Sequence, residues 1–337
     1  MTGYRRLVAQ ALAAVEVVSA TSHAWFGVRS PGIPAEVEGL MSPRTARASL
    51  VYELQMRLYA DFYCAGGARP PLHSPATDAL PGASPFVQDL SAANAGTGAR
   101  EPGWTVTGED SGALVVARGG LSLWVAPADV HPTNGAKVAP GAAVGVLMPK
   151  ELLRLSPGFY MALGDAEFPV DGSAPVVRFY WNLRSDGAVV LIGELTRRLN
   201  AQGLAFRLKV VSEPGRYSRC DAGVLYVLRS DYEHVARVVS TAYQAVASSL
   251  KPAIPALTKP LAPGLALAED PTEQMTSFGM SRCELLAEAI ARAAELGARD
   301  PAQRMRVVDE RFAEAGMSLD APYLNPGSTD DYRFPPR

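Results

Sequence analysis

Hydrophobic positions in the N-terminal part of the chain recur at helical spacing. Near the start, four apolar residues follow one another at steps of four and three: Leu7, Ala11, Val15 and Val18. Gln10 and Glu16 interrupt this apolar run, so we interpret the segment as an amphipathic helix and not as a signal peptide. The protein is therefore expected to stay in the cytoplasm.

A second helix is predicted to begin at Ser42, whose hydroxyl suits an N-cap, with Pro43 in the first helical position. Apolar side chains follow at four-residue steps: Leu50, Leu54, Leu58 and Phe62. A second stripe on the same helix is largely aromatic: Tyr52, Met56, Tyr59 and Tyr63. Two apolar stripes predict a helix that is buried on two faces. A shorter helix is expected over residues 86–95.

The pattern changes after residue 100 to short β-rich runs separated by Gly, Pro, Asp and Asn, which is typical of an antiparallel meander. Strands are then predicted over residues 175–183, 204–211 and 220–229. A helix from Ser185 to Asn200, with Ser185 as its N-cap and Gly203 after its end, separates the first two of these strands. Ser230 and Glu233 have the spacing of a capping box and predict the start of another helix.

The C-terminal part contains a proline-studded stretch, residues 251–271, that we interpret as irregular. Helices are predicted over residues 281–296 and 302–315, and residues 323–337 form a polar tail that is expected to be loosely ordered. The predicted fold class is therefore α+β, with N-terminal helices, a mainly antiparallel sheet and C-terminal helices. We expect a helical lobe at 1–100 and a β-rich lobe with the C-terminal helices at 101–337, in one compact unit with the site between them.

Composition narrows the classes of function. Charged residues make up only 20% of the chain and the net charge is -2, without a basic run, so nucleic acid is not an expected partner. No apolar stretch reaches the roughly 18 to 20 residues of a membrane span, so a membrane is not expected either. The cysteines show no C-x-x-C spacing, and His131 and His234 are isolated from other ligands, so no disulfide and no metal site is predicted. Motifs of nucleotide-binding loops, zinc proteases and serine esterases are absent.

Several segments resemble the HopA-type effector family and occur in the order that this family shows. They are LSPGFYMALGD, VRFYWNLRSDGAVVLIGELTRRLNAQGLAFRLKVV, RYSRCDAGVLYV, APGLALAEDP, SFGMSRCELLAEAI and APYLNPGSTDDY. A more distant resemblance joins the middle segments to phosphothreonine lyases of the OspF and SpvC type and to the lyase domains of class III lanthipeptide synthetases. Those enzymes order a strand with K-x-H character, a helix, a strand with F-K-V character, an arginine-bearing turn and another strand.

The resemblance implies a lyase, as in class V lanthipeptide and thioamitide biosynthesis. Such an enzyme eliminates phosphate from phosphoserine or phosphothreonine of a ribosomally synthesised precursor peptide and leaves dehydroalanine or dehydrobutyrine. The implied partners are the precursor peptide with its leader and a kinase-like phosphotransferase, and no cofactor is implied. The alternative is a protein without catalytic activity, either effector-like or a scaffold that binds the leader peptide and partners the kinase.

Two residues carry the predicted chemistry if the order of strands is matched to those lyases. Lys209 matches the lysine of the F-K-V strand and is the expected base, because apolar neighbours and nearby arginines both disfavour its protonated form. Tyr180 stands where those lyases have a histidine and is the expected general acid. His131 is a further candidate for proton transfer, from a β-rich loop outside the matching strand.

The remaining site residues are expected to hold the substrate. The predicted phosphate ligands are Arg178, Arg216, Arg219 and Arg282. Arg178 shares a strand face with Tyr180, and Arg216 and Arg219 form either a pair of guanidinium forks or an ordinary solvated turn. Asn182 continues the strand face and either binds peptide backbone or makes a structural hydrogen bond. If the phosphate leaves fully ionised, the arginines carry that step and the tyrosine is dispensable.

Overall fold

The computed structural model describes residues 3–70, 84–133, 135, 137–153, 155–169, 174–272 and 276–336. In this part of the chain the α-helices are α1 (Gly3–Ala14), α2 (Ala35–Glu38), α3 (Pro43–Leu58), α4 (Pro85–Ala93), α5 (Ser185–Ala201), α6 (Tyr232–Val246), α7 (Phe278–Glu295) and α8 (Pro301–Glu314). A π-helical turn, Tyr59–Tyr63, continues α3 without a break. None of the described helices is both long and apolar enough to cross a membrane.

The described strands form three antiparallel sheets. A small sheet contains β1 (Val15–Val17), β2 (His23–Trp25) and β3 (Val28–Arg29), in that order. A five-stranded sheet has the order β6-β5-β4-β8-β7, with β4 (Arg100–Asp110), β5 (Ala113–Arg118), β6 (Leu121–Val125), β7 (Val130–Pro132) and β8 (Ala143–Leu147). Helices at both ends of the chain and antiparallel sheets between them confirm the predicted α+β class.

The largest sheet carries the predicted site and has seven strands. They are β9 (Glu151–Leu152), β10 (Phe159–Leu163), β11 (Val176–Trp181), β12 (Phe206–Val211), β13 (Gly223–Leu228), β14 (Lys259–Ala262) and β15 (Leu265–Glu269), in the order β14-β15-β11-β13-β12-β10-β9. We call this the central sheet. Every neighbouring pair in it is antiparallel.

Each face of the central sheet packs against a different set of helices. Val177, Phe179 and Trp181 of β11 face α4, α5 and α6 and belong to one buried hydrophobic cluster. Tyr180, the residue between two of them, belongs to a second cluster that contains side chains of α1, α3, α7 and α8. Since strand side chains alternate, the two clusters use alternate residues of one strand. The division of the chain at residue 100 stays a prediction.

The helix predicted at Ser42 is confirmed. Ser42 Oγ accepts a hydrogen bond from the Thr45 backbone N–H at 3.1 Å, and the apolar stripe that begins at Leu50 is buried. The second stripe is only half as predicted, because Tyr63 is buried whereas Tyr52 and Met56 are exposed. The helices predicted near residues 86, 281 and 302 are also present.

Five local predictions are wrong. The first helix ends at Ala14, and Val15 opens a strand instead. Ser185 is the first residue of α5, after Arg184 in the N-cap position, and Ser230 lies in a short 3-10 turn that supplies no side-chain cap for α6. The stretch predicted to be irregular contains β14 and β15, and the predicted loose tail is packed, with Tyr332 only 3% exposed.

Candidate active site

Strand register brings the predicted residues to one face of the central sheet. Lys209 lies opposite Val224, and Val224 lies opposite Tyr180, so the three residues form a row across β12, β13 and β11. Since neighbouring strands lie about 4.8 Å apart, the Cα atoms of Lys209 and Tyr180 are separated by about 10 Å. In the next row Tyr226 lies between Arg207 and Arg178.

The Lys209 side chain is half-buried between two aromatic rings. Its Nζ lies 4.6 Å from the centroid of the Phe159 ring and 5.7 Å from that of Tyr226. It makes no hydrogen bond or ion pair with any residue that the structure describes, although Asp221 and Asp270 are close enough to interact electrostatically. Lys209 is therefore an amine held by aromatic faces, with its nitrogen available to a ligand.

Arg219 lies over the same Phe159 ring, with its Cζ 5.3 Å from the centroid. Its Nε and Nη2 donate to the two carboxylate oxygens of Asp221, and Nη2 also donates to Tyr59 Oη at 3.0 Å. Burial disfavours the charge on both members of this pair. Each partner offsets that cost, so the pKa of Arg219 stays well above its ordinary value and that of Asp221 stays below it.

Arg178 lies at the other end of the group. Its guanidinium is stacked over the Tyr226 ring at 4.8 Å and forms an ion pair with Asp270. Burial raises the pKa of Asp270, an effect that Arg178 and Lys209 oppose. The side chains of Arg178, Tyr226, Lys209, Phe159 and Arg219 thus alternate between cation and ring, and we call these five residues the cation–aromatic row.

Arg216 reaches the same region from the β12–β13 connection. It is exposed, and its Nη1 lies 3.6 Å from Glu213 Oε1, which is beyond hydrogen-bond distance. Gly158 directly precedes Phe159, and a Cβ atom added there would lie only 3.5 Å from Arg216 Nη1. Lys209, Arg178 and Arg219 are thus linked through shared aromatic rings, and Arg216 lies beside Gly158 and lines a pocket with Arg219. Their roles stay predictions.

Tyr180 lies on the same face of the central sheet as Arg178, but the N-terminal and C-terminal helices cover it. It is 2% exposed and packs edge-on against Tyr63 and at an angle to Phe278. No described residue forms a hydrogen bond of normal geometry with its hydroxyl, although the Tyr63 hydroxyl is nearby. Burial raises the pKa of Tyr180. The side chain is packed as a core residue.

Arg282 and the amide nitrogen of Asn182 donate hydrogen bonds to other parts of the protein, whereas Asn182 Oδ1 has no described partner. Arg282 is 1% exposed, and its Nε and Nη2 donate to the carbonyl oxygens of Pro322 and Leu324 at 2.8 and 3.0 Å. Asn182 donates its amide N–H to the Ala253 carbonyl at 2.8 Å. For Asn182 this is the structural hydrogen bond of the two alternatives, and the binding of phosphate by Arg282 stays a prediction.

His131 lies in the five-stranded sheet, where β7 pairs with β8. The described contacts of Lys209 and Arg219 do not include it. No group of three or more His, Cys, Asp or Glu side chains in the described part of the chain is arranged to hold a metal ion.

Four residues of this region were not predicted from the sequence: Phe159, Asp221, Tyr226 and Asp270. Asp221 follows Arg219 at a spacing of two, and Tyr226 lies in a strand that was predicted, so both had a local signal. Asp270 is 92 residues from its partner Arg178, and no sequence pattern connects them.

Residues 149–324 of this chain match the profile of the HopA1 effector protein family. The solved structures that are similar to this chain include two effector proteins of Pseudomonas syringae. The one from pv. tomato strain DC3000 shares 16% identity, with 82% of this chain and 95% of that chain covered at a TM-score of 0.47. The one from pv. syringae strain 61 shares 14% identity, with 82% and 96% covered at a TM-score of 0.44. No curated protein matches the chain.

Proposed function

Because the chain belongs to the HopA1 effector protein family, we propose that it is a lyase that eliminates phosphate from phosphoserine or phosphothreonine in a peptide. The observation that carries the proposal is the Lys209 amine, half-buried between Phe159 and Tyr226 and without a described hydrogen-bond partner. The proposed substrate is a ribosomally made precursor peptide, bound through its leader and phosphorylated in the cytoplasm by a kinase-like partner.

In the proposed reaction the neutral Lys209 Nζ takes the proton from Cα of the phosphorylated residue. The electron pair of the C–H bond forms the Cα=Cβ double bond, and the Cβ–O bond breaks with its electrons going to the leaving phosphate. Lys209 ends as an ammonium and the peptide as dehydroalanine or dehydrobutyrine. Atoms and electrons balance without a metal or an organic cofactor.

We assign a role to each arginine from the hydrogen bonds and ion pairs that it already makes within the protein. Arg216 has no hydrogen-bonded carboxylate within the described residues, and Arg219 has its Nη1 unused by Asp221 and Tyr59. These two therefore hold the leaving phosphate, while Arg178 and Asp270 position the Tyr226 ring beside Lys209. The buried position of Tyr180 favours departure of an ionised phosphate over proton donation by that tyrosine.

The proposal is tested with the purified full chain and a synthetic phosphopeptide, with loss of phosphoric acid followed by mass spectrometry. We expect Lys209→Ala to lower the rate of elimination by at least about 10²-fold, the usual contribution of a general base. The guanidinium of Lys209→Arg stays protonated at neutral pH and cannot accept a proton, so this variant should be equally slow. Arg299→Ala, an exposed control, should match the wild type, and wild-type rates in both Lys209 variants would refute the assignment.

A scaffold without catalytic activity is the second candidate. It is favoured by the carboxylates Asp221 and Asp270, which already neutralise two of the arginines. In the same experiment, a wild-type protein that binds the phosphopeptide and leaves it intact would support this alternative.

A further inference from the structure

A cavity of about 270 Å³ lies on the side of Arg219 that faces the N-terminal helices. Its lining includes Tyr59, Cys64, Arg69, Arg216, Ser218 and Arg219. It is smaller than typical small-molecule pockets of roughly 300–1000 Å³, so it suits a small group. The Cys220 backbone N–H donates to the Cys64 carbonyl at 2.7 Å and fastens its two walls together.

Tyr59 offers this cavity a hydroxyl proton. Arg219 Nη2 donates to Tyr59 Oη at 3.0 Å, so the tyrosine oxygen is the acceptor in that hydrogen bond. Its own O–H has no acceptor among the described residues. Burial and the nearby Asp221 raise the pKa of Tyr59, so the hydroxyl stays protonated and can donate.

Arg69 adds a guanidinium from the segment after the π-helical turn. Its backbone is fixed, because its N–H donates to the Asp61 carbonyl at 3.0 Å and its carbonyl accepts from Trp25 Nε1 at 2.6 Å. Its side chain is exposed and forms no hydrogen bond or ion pair with the described part of the protein. A free guanidinium on a fixed backbone is suited to binding an anion.

The charges around the cavity leave an excess of positive charge. Asp61 lines the cavity, but Arg57 pairs with it at 2.6 Å, and Asp221 is bound by Arg219. Glu213 lies 3.6 Å from Arg216, on the side of the same turn. Each of these three carboxylates therefore lies next to an arginine. The Arg69 guanidinium has no such carboxylate among the described residues and supplies the excess positive charge.

We infer that this cavity binds the phosphate group of a phosphorylated side chain, with the Tyr59 hydroxyl and the Arg69 and Arg216 guanidinium groups as donors. This inference rests on the proposed function, because it places the leaving phosphate beside Arg219, which lies over the same Phe159 ring as Lys209. Tyr59 and Arg69 are ligands that the sequence pattern did not indicate. Both come from the N-terminal region, outside the residues matched by the family profile.

The test uses the full chain and inorganic phosphate, with affinity measured by isothermal titration calorimetry. Tyr59→Phe and Arg69→Ala should each weaken phosphate binding roughly tenfold, as expected for the loss of one hydrogen bond to a charged group. Tyr52→Phe, on an exposed position of the same helix, and Arg299→Ala are the matched controls and should bind like the wild type. Arg69 is exposed, so its variant keeps the fold even if Tyr59→Phe disturbs packing.

The outcomes separate this site from the proposed activity. Absence of phosphate binding in the wild type, or unchanged affinity in both variants, would overturn the site, and elimination by the wild type would then still support the lyase. If phosphate binds with the expected dependence on Tyr59 and Arg69 but no phosphopeptide is eliminated, the site stands and the lyase proposal fails.

Discussion

The His23 imidazole is buried in β2 without a hydrogen bond in the described part of the protein. It is 1% exposed, and neither ring nitrogen has a described partner. Burial, with a smaller contribution from the Arg57 charge, lowers its pKa to about 4. The neutral form is therefore favoured in the folded state, whereas the unfolded chain protonates near the ordinary value of about 6.5.

This shift predicts a loss of stability in weak acid. The contribution of His23 is complete above about pH 6.5 and is lost as the pH falls toward 4, because the unfolded state then binds the additional proton. Between pH 7 and pH 5 the free energy of unfolding should fall by about 2 kcal/mol on account of this residue, at about 1.4 kcal/mol per pKa unit. Urea unfolding of the wild type and of His23→Leu at both values measures the difference, and an equal pH dependence in the two proteins would contradict it.

Arginine shows why residue identity predicted only part of the site. Arg216 is exposed, and Arg219 forms an ion pair with a carboxylate two residues away. Arg282 donates its hydrogen bonds to backbone carbonyls about 40 residues away. Phosphate binding was predicted for all three, for Arg216 and Arg219 from their place before a strand and for Arg282 from its place near a helix start. The partner decides the role, and where the partner is remote in sequence the local pattern holds no information about it.

At the scale of elements, alternation within a strand was predictable but pairing between strands was not. The sequence correctly places Arg178 and Tyr180 on one face of β11, yet only the register shows that Tyr226 separates Arg178 from Arg207. The hairpin of β14 and β15 was missed because prolines argued against strands. β14 is the edge strand of the central sheet, where Pro260 does not interrupt an inner hydrogen-bond ladder.

The π-helical turn that carries Tyr59 is packed against the start of α7 at Gly279. A Cβ atom at this position would lie 2.4 Å from the Tyr63 ring, a distance that two atoms cannot adopt without movement. We expect Gly279→Ala to lower the free energy of unfolding by about 1–3 kcal/mol through this overlap. Because Tyr63 stacks on Tyr59 at 5.5 Å, the same change should also weaken phosphate binding.

Gly193 provides the matched control for that substitution. It lies inside α5, and an added Cβ would have its nearest neighbour, the Ala93 carbonyl oxygen, at an ordinary 3.5 Å. Gly193→Ala should therefore stabilise the protein by roughly 0.5–1 kcal/mol through helix propensity. Thermal and urea unfolding of both variants give the comparison, and destabilisation of equal size at the two positions would show that the contact with Tyr63 is not the cause.

At the scale of the whole molecule, the C-terminal tail is part of the folded structure. Its polar composition predicted loose order, which is wrong because its polar groups find partners on the central sheet. Tyr332 Oη donates to Glu269 Oε1 at 2.6 Å, and the Asn325 backbone N–H donates to Glu269 Oε2 at 2.7 Å. The buried Glu269 carboxylate at the end of β15 thus binds the tail at Asn325 and at Tyr332.

Arg282 of α7 also binds this tail, and its removal tests both the packing of the tail and the predicted role of Arg282 in phosphate binding. Arg282→Ala leaves the Pro322 and Leu324 carbonyls without their donor, so we expect the free energy of unfolding to fall by about 3 kcal/mol. Arg292→Ala, on the exposed side of the same helix, breaks only a surface pair with Glu314 and should change stability little. Urea unfolding measures both variants. Calorimetry at a temperature where Arg282→Ala remains folded should give wild-type affinity for inorganic phosphate, since the cavity beside Arg219 does not include this arginine. Weakened phosphate binding by the folded variant would instead support the predicted role of Arg282 as a phosphate ligand.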